Sequence, residues 1–349
     1  MIKSIIMNFF ITFIIVLLSY TSYSKNIYET SFHNINQKTI NAAKTKTTQI
    51  EIIKIKSFNN ILDRILLTED KNKFLKNYDY SYNLEKIILN IIIENELITS
   101  NKYIADVKVN FDKKELIQIL RNNKINYSDV FSNDILLISS YSEDFLNLGL
   151  SNENIFYKYQ IQNNMNSLFN YFYPELSPND RFIIPYKKII NNDKSSLKNI
   201  SKKYNSDEII IVQLKKNNKH IDISFNYYNI DNNEIIFIDK KNFIYDENFY
   251  EKIFIFLNNW WKNKNLINNN LINSLNCYIK SYNYNDLMNI KSNIKNLSQI
   301  RNINYLSIAL NNNLEEINYY GDFSIFKKSL SLFDINISNE DECIIDSAG

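Results

Sequence analysis

Tyr103-Ile104-Ala105-Asp106-Val107-Lys108-Val109-Asn110-Phe111-Asp112 is the stretch on which the fold turns. Tyr103, Ala105, Val107, Val109 and Phe111 alternate with Ile104, Asp106, Lys108 and Asn110, a period of two that marks a half-buried strand. Just upstream, Ile91–Thr99 reads as a partner strand and Ser100-Asn101-Lys102 as the hairpin turn. Just downstream, Asp112 and Glu115 stand as a capping-box-like helix entry before Leu116, Ile119 and Leu120. Further upstream, Ile40, Ala43, Ile50, Ile53, Ile61 and Ile65 recur at helical spacing, and Phe58, Leu62 and Leu66 widen the stripe. This predicts a long amphipathic helix. Residues 25–131 are thus expected as a helix, β-hairpin, helix unit.

Residues 132–262 read as a small three-layer α/β unit. Ile135–Ile138 and the continuous apolar run Asp207–Leu214 are buried-type strands. Ile221/Ile223/Phe225/Tyr227 and Ile235–Ile238 follow as strands through Asn- and Asp-rich turns. Helices are expected near Glu153–Phe172, over Leu197, Ile200 and Tyr204, and up to Trp260-Trp261. All three prolines fall between Pro174 and Pro185, bracketing a short expected strand at Phe182–Ile184. Lys262–Asn270 is polar and Asn-rich, and reads as a linker. Beyond it, residues 271–349 follow the order β-α-β-β-α-β of a ferredoxin-like unit. Leu275, Cys277 and Ile279 lie in its first strand and Cys343 in a short terminal one. The fold class is therefore α+β.

The N-terminus predicts an address. Lys3 precedes the nearly unbroken apolar run Ile5–Leu18, and Ser22 and Ser24 suit a signal-peptidase site, with cleavage between Ser24 and Lys25. The run is shorter than the roughly 20 residues a spanning helix requires, and no later stretch reaches that length. The mature chain is expected to be periplasmic, with no transmembrane segment. The remaining residues include two cysteines, Cys277 and Cys343. An oxidising compartment favours pairing them. In a ferredoxin-like sheet, however, Cys343 lies one strand beyond the position next to Cys277, and the expectation is two unpaired thiols.

Lys+Arg number 40 against Asp+Glu 38 in 349 residues, which offers no basic footprint for nucleic acid. Arg occurs only at Arg64, Arg121, Arg181 and Arg301. With the abundance of Asn, Ile and Tyr, this resembles AT-rich codon usage and discounts Asn- or Lys-rich patches as signals. Gly and Pro number three each, so Asn and Asp must make the turns.

Three stretches carry a resemblance. They are Tyr103–Asp112, Arg181-Phe182-Ile183-Ile184-Pro185, and Ile200 to Val212 through Tyr204-Asn205-Ser206-Asp207. The chain resembles the exported proteobacterial family catalogued as domain of unknown function 2066, in which Tyr-Gly-Ala-Asp tends to precede a strand. Asn205 and Ser206 stand in place of that Gly and Ala. The resemblance implies an exported α+β protein and carries no catalytic residues.

The search for chemistry gives little. His33 and His220 have no metal-ligand spacing around them and read as exposed polar residues. With three glycines, no phosphate-cradling loop can be written. Ser195-Ser196-Leu197-Lys198 matches the Ser-x-x-Lys nucleophile motif, with Ser281-Tyr282-Asn283 as a would-be second element. Ser-x-x-Lys also occurs at Ser22–Lys25 and Ser292–Lys295, which is chance recurrence in a Lys-rich chain. Asp231-Asn232-Asn233-Glu234 lacks the Gly and distal Glu of a calcium loop and reads as a hairpin turn. No catalytic residue, metal ligand or cofactor is assigned. Tyr78, Tyr80, Tyr82, Trp260 and Trp261 remain as candidate contacts, since aromatic rings offer large contact area. The expected function is that of a non-enzymatic periplasmic accessory or interaction protein with an unidentified envelope protein as partner. The alternative is a binding module for an envelope glycan or peptide.

Overall fold

The computed structural model describes residues 26–78, 80–158, 167–308 and 312–347; the expected signal peptide lies outside them. The chain is α+β, as read from its periodicities. In the first unit, β1 (His33–Lys38), β2 (Ile88–Ile98) and β3 (Lys102–Phe111) form an antiparallel sheet in the order β1-β3-β2. β3 alternates strictly, with Tyr103, Ala105, Val107, Val109 and Phe111 buried. They meet Phe58, Ile61, Leu62 and Ile65 of α1 (Ala42–Ile65), whose first turn is capped by the Asn41 side chain. α2 (Thr68–Asn77) ends at Tyr78, which is extended, and α3 (Tyr80–Ile87) carries Tyr80 and Tyr82. α4 (Lys113–Asn122) starts at Asp112, whose carboxylate accepts from the N–H groups of Lys114 and Glu115.

The second unit is built on a six-stranded sheet. β4 (Ile135–Glu143) and β7 (Glu208–Asn217) are its parallel inner pair. β8 (His220–Asn229) and β9 (Glu234–Ile244) extend it antiparallel, while β5 (Leu146–Leu148) and β6 (Tyr171–Phe172) attach to β4. α9 (Phe249–Lys264) lies on one face, with Phe256 against Phe225 and Trp260 against Tyr227. α7 (Tyr186–Ile190) and α8 (Lys194–Tyr204) pack on β4 and β7. Two expectations for this unit change. The helix expected near Glu153–Phe172 is confined, among the described residues, to α5 (Ile155–Lys158), and Tyr171–Phe172 is strand. The strand expected at Phe182–Ile184 is largely helix, α6 (Pro178–Ile183). Ser177 and Asp180 form a capping box with Pro178 in the first turn, a local signal strong enough to outweigh the apolar run that follows.

Asparagine and aspartate do take the left-handed turn positions. Asn95, Asn192, Asn205, Asn218, Asn233, Asp144 and Asp334 all have positive φ. Asn205 ends α8 in the αL conformation, the role for which glycine is usual.

The third unit comprises β10 (Ile272–Lys280), α10 (Tyr284–Asn296), β11 (Ile300–Ser307), β12 (Asn312–Tyr320), α11 (Phe323–Ser331), β13 (Ile335–Ile337) and β14 (Cys343–Ser347). Its sheet order is β11-β12-β10-β14-β13. In the expected ferredoxin-like arrangement β13 would neighbour β10. Instead the chain turns back after β13 and inserts β14 between them, parallel to β10. Cys277 and Cys343 come into register and are disulfide-bonded, which corrects the expectation of two free thiols.

Lys262–Asn270 is not a loose linker but a strap that ties the units together. Lys262 is buried and its Nζ donates to the carbonyls of Asp63, at 3.0 Å, and Leu66, at 2.5 Å, near the C-terminal end of α1. Ile267 pairs with Tyr127 and joins the core of the first unit, and Asn269 bonds Asn126 and Ile125.

Candidate functional site

Of the aromatic candidates, Tyr78 and Trp261 belong to the interior. Tyr78 is buried against Phe58 and Phe74, with ring centroids 5.2 and 4.9 Å away. Tyr80 and Tyr82 lie in α3, and their side chains fall outside the described residues. Trp261 is fully buried and its Nε1 donates to the Val130 carbonyl at 2.9 Å. Trp260 is half-buried, its ring 5.4 Å from that of Tyr227. Two ammonium groups lie over these rings. Lys264 Nζ is 3.7 Å from the Tyr227 centroid, and Lys328 Nζ, from α11, is 3.9 Å from that of Trp261. Burial lowers Lys328 to about 8, opposed by attraction to Glu208 and helped by repulsion from Lys264. The double Trp is thus a cation–π seam between the second and third units rather than an open contact face.

The remaining sequence candidates are placed as follows. Ser195 and Lys198 are exposed on α8, whose N-terminus is capped by Asp193, which accepts from Ser196 N–H at 2.9 Å. Asp231–Glu234 is the turn joining β8 to β9. His220 is exposed beside Asn242, but His33 is half-buried with Nε2 3.1 Å from Ser57 Oγ, and burial lowers its pKa. Its place on β1, a strand without a sequence signal, accounts for that burial.

The site that sequence reading missed is a cleft of about 820 Å³ between the first and third units. One wall is α4, contributing Lys113, Lys114, Ile117 and Arg121; the other is the end of α10 and the start of β11, with Lys295, Leu297 and Ile300. Leu89 and Phe333, both exposed, add apolar surface at its edge. The walls are held by side chains donating to carbonyls at and just past the end of α10. Lys113 Nζ donates to Asn296 O at 3.1 Å, Tyr127 Oη donates to Ser298 O at 3.1 Å, and Arg121 donates to the same oxygen. The Arg121 guanidinium also stacks on Tyr320, 4.1 Å from its centroid.

The charge does not balance. Lys113 has Asp129 at 3.6 Å, and Asp129 also accepts from Tyr28 Oη at 2.9 Å. Burial and then Asp129 push the Tyr28 phenol well above its ordinary value, so it stays a neutral donor. Asp112 is the one carboxylate among the lining residues, and its Oδ1 accepts both capping N–H groups of α4, one negative charge against four cations in the lining. Lys114 and Lys295, one on each wall, are exposed and have no carboxylate partner among the described residues. The cleft therefore combines apolar patches (Leu89, Ile117, Leu297, Ile300, Phe333) with polar groups and an excess of positive charge on two sides. Such a surface suits binding of an anionic, partly apolar segment. It was illegible in the sequence because Lys114 and Lys295 lie far apart in a chain rich in lysine.

Among the described residues no helix is long and apolar enough to cross a membrane, and no group of three metal-type ligands occurs. The chain matches no protein-family model, no curated protein and no solved structure.

Proposed function

We propose that the protein is a non-enzymatic accessory protein of the cell envelope, exported to the periplasm, which holds a partner protein in the cleft between its first and third units. The carrying observation is that cleft, lined by polar and apolar residues in similar measure and bearing lysines without carboxylate partners on both walls. Export is supported by the charged and apolar N-terminus with Ser22 and Ser24, and by a Cys277–Cys343 bond, which suits an oxidising compartment. The resemblance to the exported family named above points the same way. A photo-crosslinking side chain placed at Leu89 or Phe333 in the native host tests the reading. A discrete protein adduct is expected from both positions and not from Phe145, which is exposed on the second unit. Equal adducts from Phe145, or none from the cleft, would refute it. Export has its own readout: protein recovered from the envelope should begin at Lys25 by intact mass.

A further inference from the structure

The cleft opens beside an unpaired sheet edge, and the two together specify the segment it takes. β2 is the outer strand of the β1-β3-β2 sheet. One side of β2 is paired to β3, while the other leaves backbone N–H and C=O groups without strand partners among the described residues, a template for an added strand. The register shifts between Ile88 and Asn90 and again between Glu94 and Leu97, so the regular run is Asn90–Glu94. Leu89, skipped by the pairing at the first shift, lines the cleft. An extended chain laid along β2 therefore has one end in the cleft. A lipid would leave that edge unused, whereas a peptide satisfies it with its own backbone.

Charge narrows the choice further. The guanidinium of Arg121 is occupied by the Ser298 carbonyl and the Tyr320 ring, which removes the planar fork that favours phosphate. What remains is Lys114 and Lys295, two point charges on opposite walls, suited to separate carboxylates. Resting on the cleft as the binding site, we infer that the partner segment is an extended acidic peptide. It adds to β2 as a fourth strand, sets carboxylates at Lys114 and Lys295, and packs its apolar side chains on Leu89 and Phe333.

The test uses the full disulfide-bonded protein and a labelled synthetic peptide of about ten residues alternating Glu and Val, followed by fluorescence anisotropy. Binding is expected to weaken about tenfold in the double variant Lys114→Glu/Lys295→Glu, and again as salt is raised. Both positions are exposed, and an unchanged melting curve confirms that the variant folds. A Lys–Val peptide should bind that variant better than the parent, the reverse of the Glu–Val preference. Methylating alternate backbone nitrogens of the Glu–Val peptide should also cost about tenfold, because a strand-adding ligand needs those donors. Equal binding of a Gln–Val peptide, or indifference to methylation, overturns the inference. So does capture of phosphatidylglycerol vesicles in place of the peptide, or self-association that covers Leu89. If crosslinking from Leu89 and Phe333 finds a partner while the Glu–Val peptide does not bind, the acidic-strand inference falls and the cleft reading survives. If both fail, both fall.

Discussion

Cys277 and Cys343 face each other across adjacent parallel strands with Cα atoms 4.5 Å apart, and their bond holds the terminal strand beside the centre of the third sheet. Both are buried. The bond closes a loop with a sequence separation of 66 residues, so its loss should destabilise the third unit by roughly 2–4 kcal/mol. Cys343→Ala should lower the unfolding midpoint to the level reached by the parent under reductant. Alkylation of denatured, unreduced protein should modify neither cysteine; two labelled thiols would contradict the arrangement.

The strap makes a prediction about pH. Lys262 is held at about 8 by burial, against 10.5 ordinarily, with attraction to Asp63 opposing. Between those values the unfolded chain binds more protons than the folded one, so stability rises with pH across this window. Above about pH 10 the buried tyrosines Tyr28 and Tyr157, raised by desolvation, turn the slope the other way. Lys262→Met should flatten the rise between about pH 8 and pH 10 by about 1–3 kcal/mol, measured by urea unfolding. An unchanged slope would mean that Lys262 is solvated.

The same strap should resist proteolysis. Lys262, Asn265 and Ile267 are buried, and their backbone or side chains bond the first unit or α9. Mild digestion should spare residues 262–270 and begin at exposed tips such as Asp144-Phe145. Early cleavage within the strap would show the units to be independent.

On α8, the two residues near its start separate cap from motif. Asp193→Ala should cost about 1 kcal/mol, since its carboxylate caps Ser196 N–H and also holds Lys188 at 2.8 Å. Ser195→Ala should be near neutral, because Ser195 is exposed and does not hold the cap. Labelling of Ser195 by a β-lactam probe would reopen the nucleophile reading.

For the double Trp, unequal costs are expected. Trp261→Ala should destabilise by roughly 3–5 kcal/mol through loss of a fully buried ring and its bond to Val130. Trp260→Ala should cost about half as much or less, because that ring is half-buried. Equal losses in denaturant titrations would contradict the seam.

The sequence by itself determined the elements whose burial follows local periodicity. The alternation from Tyr103 to Phe111, the stripe through Ile53, Phe58, Ile61 and Ile65, and the inner run from Ile209 to Val212 all recur as read, because each reports which face meets a core. The helix at Pro178–Ile183 was also legible, in Ser177-Pro178 and Asp180, though the apolar run through Ile184 obscured it. Tertiary structure decided what depends on neighbours distant in sequence. The insertion of β14 beside β10, the burial of polar Lys262 under helix-end carbonyls, and the meeting of Lys114 with Lys295 across one cleft each join segments separated by most of a unit or more. A local window records whether a residue faces inward. It does not record which strand or helix arrives opposite, since that is settled by long-range pairing and the closure of the loops between.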